Sequence, residues 1–328
     1  CGVYRFRAWR RWACRMLNFS RMFLPTFAKP VLYEVPTYLV GCSIGNENRK
    51  TKRKKRGMEN FNNKTWLDYS VYCGEKLQLY HGDCLEVMDL MIEDKTKVDM
   101  ILCDLPYGTT ACKWDTIIPF EDLWKRYEKL IKPNGAIVLT ASQPFTSALI
   151  MSNPKMYKYS WVWDKVTARG HLVAKHRPLQ QTEDIVVFSN GKHNYFPIMI
   201  ERPKDKWKVS KEFKKTDIIK SNGETEYKTY KHWYPKNILQ YSNANATNEK
   251  PLHSTQKPVE LMEYLIKTYT NEGETVLDNC IGSGTTAVSC INTDRYCIGI
   301  EKDKPIYDIA VKRLNDIWVS KQNRNELF

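Results

Sequence analysis

Several features that would assign the chain to well-known protein classes are missing from its sequence. No apolar run reaches the roughly 18 residues that a membrane-spanning helix requires. The ten cysteines form no CxxC pair and no spacing typical of zinc ligands. In a chain of 328 residues they predict free thiols in a reducing cytoplasm, not a disulfide framework or a metal site. We therefore expect a cytoplasmic protein with neither a membrane partner nor a metal ion.

The first 57 residues are poor in acidic charge. They hold 14 Lys or Arg and two Glu, whereas residues 58–328 hold 37 basic and 35 acidic residues. The run RKTKRKKRG has the composition of a nuclear-import or nucleic-acid patch. A purine-rich stretch before a Met codon is also what a translated bacterial ribosome-binding site would give, which favours a bacterium or a phage-infected cell as the source. We expect the chain proper to begin at Met58, with residues 1–57 a mis-annotated upstream segment or, if translated, a disordered or loosely packed leader.

After Met58, short apolar runs alternate with amphipathic segments, and 42% hydrophobic residues suffice for a sizeable core. Residues 76–91 predict a strand, a turn at His81–Asp83 and a short helix. Further strands are predicted at 98–104, 133–142, 184–190, 274–280 and 295–303. Further helices are predicted at 120–132, 258–270, 282–291 and 305–318. The alternation predicts an α/β fold with a largely parallel sheet.

The run DLPYGTT, residues 104–110, follows the apolar strand at 98–104. Asp followed by Pro and Gly is ordinary turn chemistry, but it also places a carboxylate and an aromatic ring at a strand end. Three more acidic residues, Asp83, Asp278 and Glu301, lie at or near predicted strand ends. Ligands of such sheets bind outside the carboxyl ends of the strands, so we expect the four to share one crevice.

A second motif, VLDNCIGSGTT at 276–286, reads as a strand, a glycine turn and the start of a helix. Glycines allow close approach of a ligand to the backbone, and a helix N-terminus offers free N–H groups. Glu301 follows one helix and one strand later, where a carboxylate can accept hydrogen bonds from ribose hydroxyls. The lysine of a P-loop and the third glycine of GxGxxG are both missing. This unit indicates a site for an adenosine-containing cofactor.

Residues 191–250 interrupt the α/β pattern, because they are polar and rich in Lys, Asn, Thr and Tyr. Lysines and aromatic rings suit phosphate contacts and base stacking. A solvated, irregular lobe would have the same composition. From composition alone, both interpretations stand.

Together the two motifs resemble those of the S-adenosylmethionine-dependent DNA amino-methyltransferases, which methylate N6 of adenine or N4 of cytosine. DLPY precedes the glycine motif here, an order similar to that of the permuted, β-type group. The segments HGDCLEVM (81–88), TASQPF, QTEDIVVFSNG and HSTQKPVELMEYLI (253–266) also resemble segments of that group. The resemblance implies a doubly wound, Rossmann-like methyltransferase domain over 58–328. It also implies that residues from about 191 to 250 form an inserted target-recognition lobe.

The resemblance implies a catalytic role for Asp104, Leu105, Pro106 and Tyr107. The Asp104 carboxylate and the backbone carbonyl of Leu105 or Pro106 would accept the two N–H groups of the target amine. Tyr107 would stack on a base flipped out of the DNA duplex. The cofactor, S-adenosyl-L-methionine, would be held by Asp83, Asp278, Gly282, Gly284, Thr285, Thr286 and Glu301, with Lys257 at the border of its pocket.

Two departures from the family pattern stand out. Leu105 replaces the commoner Pro, and Asn279-Cys280 replaces the usual Pro-Phe, which weakens an expected contact with the cofactor. In this family Asp at the first catalytic position is commoner for adenine and Ser for cytosine, so Asp104 favours N6 of adenine. The alternatives are an N4-cytosine enzyme, an RNA or protein amino-methyltransferase, and a DNA-binding homologue without catalysis.

The partner implied by the resemblance is double-stranded DNA. A homodimer is compatible with the group, which often dimerises. The sequence leaves open whether a restriction endonuclease accompanies the protein.

Overall fold

The computed structural model describes residues 70–73, 76–108, 115–212, 226–242 and 256–325. The chain divides after residue 68, and the described residues lie in the second unit, the compact unit of residues 69–328. The predicted leader, residues 1–57, lies outside the described residues. All that follows concerns the second unit.

The strands and helices of this unit alternate along the chain. The strands are β1 (Ser70–Cys73), β2 (Leu77–His81), β3 (Val98–Asp104), β4 (Ile131–Ala141), β5 (Tyr157–Arg169), β6 (Gln180–Phe188), β7 (Ile200–Glu201), β8 (Lys208–Glu212), β9 (Glu226–Tyr230), β10 (His232–Trp233), β11 (Ile238–Gln240), β12 (Thr275–Asp278) and β13 (Tyr296–Glu301). The helices are α1 (Cys84–Glu93), α2 (Phe120–Leu130), α3 (Phe145–Ser152), α4 (Val259–Tyr269), α5 (Thr285–Asn292) and α6 (Lys304–Asn325).

Nine strands form one sheet in the order β1-β2-β13-β12-β3-β4-β6-β5-β11. The five neighbours from β2 to β4 are all parallel, whereas β6 runs antiparallel to both β4 and β5. The prediction of an α/β fold with a largely parallel sheet is confirmed. From β3 the chain continues to β4 on one side, and the later strands β12 and β13 fill the other side. Such a switch point is where ligands of open α/β sheets bind.

Local sequence explains the central elements. In β3 every residue from Val98 to Cys103 is buried, as expected for a parallel strand that is covered on both faces. In α2 the buried residues Leu123, Trp124, Tyr127 and Leu130 recur at helical spacing and turn one face to the core. Parallel central strands under amphipathic helices therefore follow from the pattern of apolar residues.

The longest strand, β5, was not among the predicted elements. It supplies the buried indoles of Trp161 and Trp163 and pairs with β6 and β11. Its sequence, YKYSWVWDKVTAR, alternates aromatic and polar residues as a half-buried strand does.

The predicted lobe, residues 191–250, is partly outside the described residues. Its described part contains two small antiparallel pairs, β7 with β10 and β8 with β9. Strand β11 instead pairs with β5 at the edge of the main sheet. Ile238–Gln240 therefore belongs to the main sheet.

Candidate active site

The four strand-end carboxylates lie together. Residue pairing along the sheet sets Glu301 of β13 opposite His81 of β2, two residues before Asp83. It also sets Asp278 of β12 opposite Gly299 of β13. With Asp104 at the end of β3, all four carboxylates line one cavity of about 700 Å³. That volume is within the range of small-molecule and cofactor sites.

Of the twelve site residues predicted from the sequence, eleven line this cavity. The exception is Gly284, the residue before α5, which has a φ of +85°. A Cβ at this position would lie 3.4 Å from the Cβ of Ala310 on α6. Gly284 therefore shapes the turn behind the cavity wall, because only glycine adopts this conformation without strain.

Glu301 is hydrogen-bonded to the glycine turn. Its Oε2 accepts a hydrogen bond from the Gly282 N–H at 2.9 Å, and its Oε1 accepts one from the Asp303 N–H at 2.9 Å. Burial raises the pKa of Glu301. Each carboxylate oxygen has two lone pairs, so the side chain can accept further hydrogen bonds from hydroxyls in the cavity.

Asp278 is the most deeply buried of the four carboxylates. Its Oδ1 accepts a hydrogen bond from the Cys280 N–H at 3.0 Å, and its Oδ2 accepts one from the Thr286 hydroxyl at 2.6 Å. Burial raises the pKa of Asp278 to about 7, in spite of these two donors. A cation arriving beside this carboxylate would favour its ionised form.

Asp83 caps α1, since its Oδ1 accepts a hydrogen bond from the Leu85 N–H at 2.9 Å. Its Oδ2 pairs with Lys302 Nζ at 3.0 Å. Burial opposes ionisation, but Lys302 and the backbone amides together lower the pKa of Asp83. Asp83 therefore faces the cavity as a fixed carboxylate at a helix N-terminus.

Asp104 is held by three side chains. Its Oδ1 accepts hydrogen bonds from the Thr140 hydroxyl and, at 2.8 Å, from the Tyr107 hydroxyl. Its Oδ2 accepts one from Lys257 Nζ at 2.7 Å. Burial, followed by the charges of Asp104 and Glu183, raises the pKa of Tyr107 well above its usual value, so the phenol keeps its proton. These three donors fix the Asp104 carboxylate at the end of β3.

Comparison with known proteins identifies the family. Residues 98–312, well over half of the chain, match the DNA methylase family N6_N4_Mtase. The chain belongs to this family. It is an S-adenosylmethionine-dependent DNA amino-methyltransferase, as the resemblance of its two motifs implied.

Named relatives and solved structures agree with the family. Type II methyltransferase M1.MboII of Moraxella bovis is 27% identical over 269 residues, which cover 74% of this chain and 98% of that protein. Type II methyltransferase M.HindIII of Haemophilus influenzae is 25% identical over 308 residues, covering 74% and 99%. The structure of the M1.HpyAVI–SAM complex is 27% identical with a TM-score of 0.50, and the match covers 72% of this chain and 99% of that one.

The residues of the cavity fit the methylase cofactor chemically. S-adenosylmethionine carries ribose hydroxyls, an ammonium group and a sulfonium, and the carboxylates of Asp83, Asp278 and Glu301 line the cavity near the glycine turn. The start of α5 adds the side chains of Thr285 and Thr286 to the wall. The described residues contain no group of three or more His, Cys, Asp or Glu arranged to hold a metal ion.

Sequence reasoning missed several residues of the methylase cavity. Glu183 and Lys165 form a buried ion pair beside Asp104, and Lys257 Nζ lies 3.6 Å from Glu183 Oε2. Lys257 was expected at the border of the cofactor pocket, and its closest ionic contact is with Asp104. Glu183 stands in the polar first half of β6, QQTED, where nothing in the sequence distinguishes it from the neighbouring Asp184.

A basic loop of the methylase also went unpredicted. Arg169 and Gln180 line the cavity, and the residues between them connect β5 to β6 on the surface. Every one of these connecting residues is exposed, and they include Lys175 and Arg177. The loop therefore adds cations next to the cavity.

The small strand pairs of the lobe carry exposed aromatic rings beside cations. Lys231 Nζ lies 4.7 Å from the centre of the Trp207 ring, and the Arg202 guanidinium lies 5.4 Å from that of Trp233. Both tryptophans are more than one third exposed. Exposed rings and cations are the groups that contact bases and phosphates.

No helix in the described part of the chain combines the length and the apolar composition that crossing a bilayer requires.

Proposed function

We propose that the protein moves a methyl group from S-adenosylmethionine to the exocyclic N6 of an adenine flipped out of double-stranded DNA. The observation that carries the choice of adenine is Asp104, because this family more often has Asp at this position for adenine and Ser for cytosine. Its geometry suits the catalytic role, since the carboxylate is fixed at the strand end and lines the cavity.

In this proposal, Asp104 accepts one N–H of the target amine and the backbone carbonyl of Leu105 or Pro106 accepts the other. The exocyclic amine is a poor nucleophile, because its lone pair is delocalised into the ring. Two acceptors draw the nitrogen towards tetrahedral geometry and free the lone pair, while Asp104 stabilises the positive charge that develops on nitrogen. Asp104 then takes the departing proton. Tyr107 keeps the carboxylate in place through its hydroxyl.

The methyl donor supplies an electrophilic methyl group on a sulfonium. We assign Glu301 to its ribose hydroxyls and Asp278 to its ammonium group. Asp83 borders its adenine. Thr285 and Thr286 supply backbone amides, Gly282 holds the Glu301 carboxylate through its own N–H, and Gly284 shapes the turn. Lys257 borders the pocket through its contact with Asp104.

The lobe of β7 to β10 and the loop between β5 and β6 would contact the DNA. Their cations would hold phosphates and offset the few kcal/mol that flipping a base costs. Bacterial Type II methyltransferases among the relatives support a role in DNA modification in the bacterial cytoplasm.

The test is nucleoside analysis of unmethylated plasmid DNA after incubation with the protein and labelled S-adenosylmethionine. Asp104→Ala should abolish transfer and leave cofactor binding largely intact, because in this proposal Asp104 contacts the target amine and not the cofactor. Asp308→Ala, which removes an exposed carboxylate paired with Lys304 on α6, is the matched control and should transfer at the wild-type rate.

Label in N6-methyladenine that disappears in Asp104→Ala would support the proposal. Label in N4-methylcytosine would overturn the choice of base. A near-wild-type rate for Asp104→Ala would overturn the assignment of the catalytic residue.

A further inference from the structure

Asp104 has both carboxylate oxygens engaged. Oδ1 accepts hydrogen bonds from Thr140 and Tyr107, and Oδ2 accepts one from Lys257 Nζ at 2.7 Å. The target amine must nevertheless reach this carboxylate. An ammonium on Oδ2 would also lie close to a nitrogen that gains positive charge during transfer, which raises the barrier in a site of low dielectric. Lys257 therefore opposes the reaction in the position that the structure gives it.

Glu183 offers a second position for the same ammonium. Its Oε1 is paired with Lys165. Its Oε2 is buried and accepts no hydrogen bond from any residue that the structure describes, although it lies only 3.6 Å from Lys257 Nζ. A buried carboxylate oxygen without a donor is unfavourable. A movement of Nζ by about 1 Å would bring it into hydrogen-bond range of Oε2.

The charges of this cluster balance, since Asp104 and Glu183 face Lys165 and Lys257. The side chains of both lysines are almost fully buried. Burial opposes the charge of Lys257, but Asp104 and Glu183 outweigh it and raise the pKa of Lys257. Lys257 therefore stays an ammonium and does not serve as a proton acceptor. It can only change which carboxylate it pairs with.

We propose that Lys257 is a positioning residue that occupies Asp104 Oδ2 between turnovers and passes to Glu183 Oε2 when the target amine takes its place. The exchange keeps an ionic partner on Asp104 while the site is empty of DNA. It also withdraws a positive charge from the reacting nitrogen. The inference rests on amino-methyl transfer to DNA, and it holds for either base.

The experiment measures single-turnover methyl transfer to unmethylated DNA with the full chain in excess. In Glu183→Gln, Lys257 loses its second carboxylate and stays on Asp104, so the rate should fall by about tenfold or more. Binding of S-adenosylmethionine, measured by calorimetry, should stay near wild type. The double variant Glu183→Gln/Lys257→Met should transfer faster than Glu183→Gln alone, because the cation that blocks Asp104 is gone.

The matched control is Glu183→Gln/Lys165→Met, which removes the other lysine. Its transfer rate should be no higher than that of Glu183→Gln. A structural role of Glu183 predicts the opposite pattern, in which every added substitution slows the enzyme further. A Glu183→Gln/Lys257→Met variant no faster than Glu183→Gln would overturn the exchange. If Glu183→Gln does not fold, the same comparison starts from Glu183→Asp, whose shorter side chain withdraws the carboxylate from Lys257.

The readout counts label on either base, so label in N4-methylcytosine refutes the choice of adenine and still tests the exchange. A wild-type chain that puts no label on DNA would overturn both.

Discussion

Asp278 allows a quantitative test of the proposed cofactor site. Burial raises its pKa from 3.8 to about 7. The shift corresponds to about 4 kcal/mol in favour of the protonated carboxyl in the folded protein. The folded state thus holds a proton that the unfolded state releases above about pH 4. The free energy of unfolding should therefore fall as the pH rises from about 4 to about 7. About 2.5 kcal/mol of this loss lies between pH 5 and pH 8.

Asp278→Asn removes this titration with little change of shape. The amide oxygen can still accept one of the hydrogen bonds now donated by Cys280 N–H and the Thr286 hydroxyl. We expect the free energy of unfolding of the variant, relative to wild type, to increase by about 2–3 kcal/mol from pH 5 to pH 8. The variant should also bind S-adenosylmethionine more weakly at pH 8, because no carboxylate remains to pair with the ammonium group.

Urea unfolding followed by tryptophan fluorescence measures the first effect, and calorimetric titration measures the second. Both proteins are compared at each pH, so the titration of other groups cancels. A stability difference that is the same at pH 5 and pH 8 would refute the reasoning about burial. Unchanged cofactor affinity in the variant would instead refute the assignment of Asp278 to the ammonium group.

Two further predictions concern the glycine turn and the lobe. Gly284→Ala should lower the free energy of unfolding by about 1–2 kcal/mol, because alanine resists a positive φ, and should weaken cofactor binding. Gly191→Ala is the control, because Gly191 has a φ of +96° and nothing within 4 Å of a Cβ. It should lose a similar amount of stability but bind the cofactor as tightly as wild type. Lys231→Gln should reduce the slope of log DNA affinity against log salt by about 1, which filter binding at several salt concentrations would show. An unchanged slope would exclude a phosphate contact by Lys231.

Most of the central sheet was predictable because its parallel strands contain short runs of buried apolar residues. The run from Val98 to Cys103 predicted β3, and the acidic residue after it marked the edge where the cavity lies. The family, the cofactor and the fold class are confirmed. The roles of single residues and the adenine specificity stay predictions.

Other features escaped sequence reasoning because they depend on tertiary contacts. Glu183 lies on β6 and Lys257 directly before α4, far apart in the sequence. Lys257 meets Asp104 and Glu183 only when the chain is folded. Strand β5 was missed although its alternation of aromatic and polar residues was visible.

The order of strands also has a consequence for biosynthesis. Strand β3 pairs with β4 on one side, but its other neighbour, β12, comes near the end of the chain. While the chain leaves the ribosome, β2 and β3 therefore expose unpaired apolar edges until Thr275–Glu301 has been made. Such edges favour association with other chains, and pairing over long sequence separations is slow. A chain that ends before β12 should therefore be more prone to aggregation than the full chain.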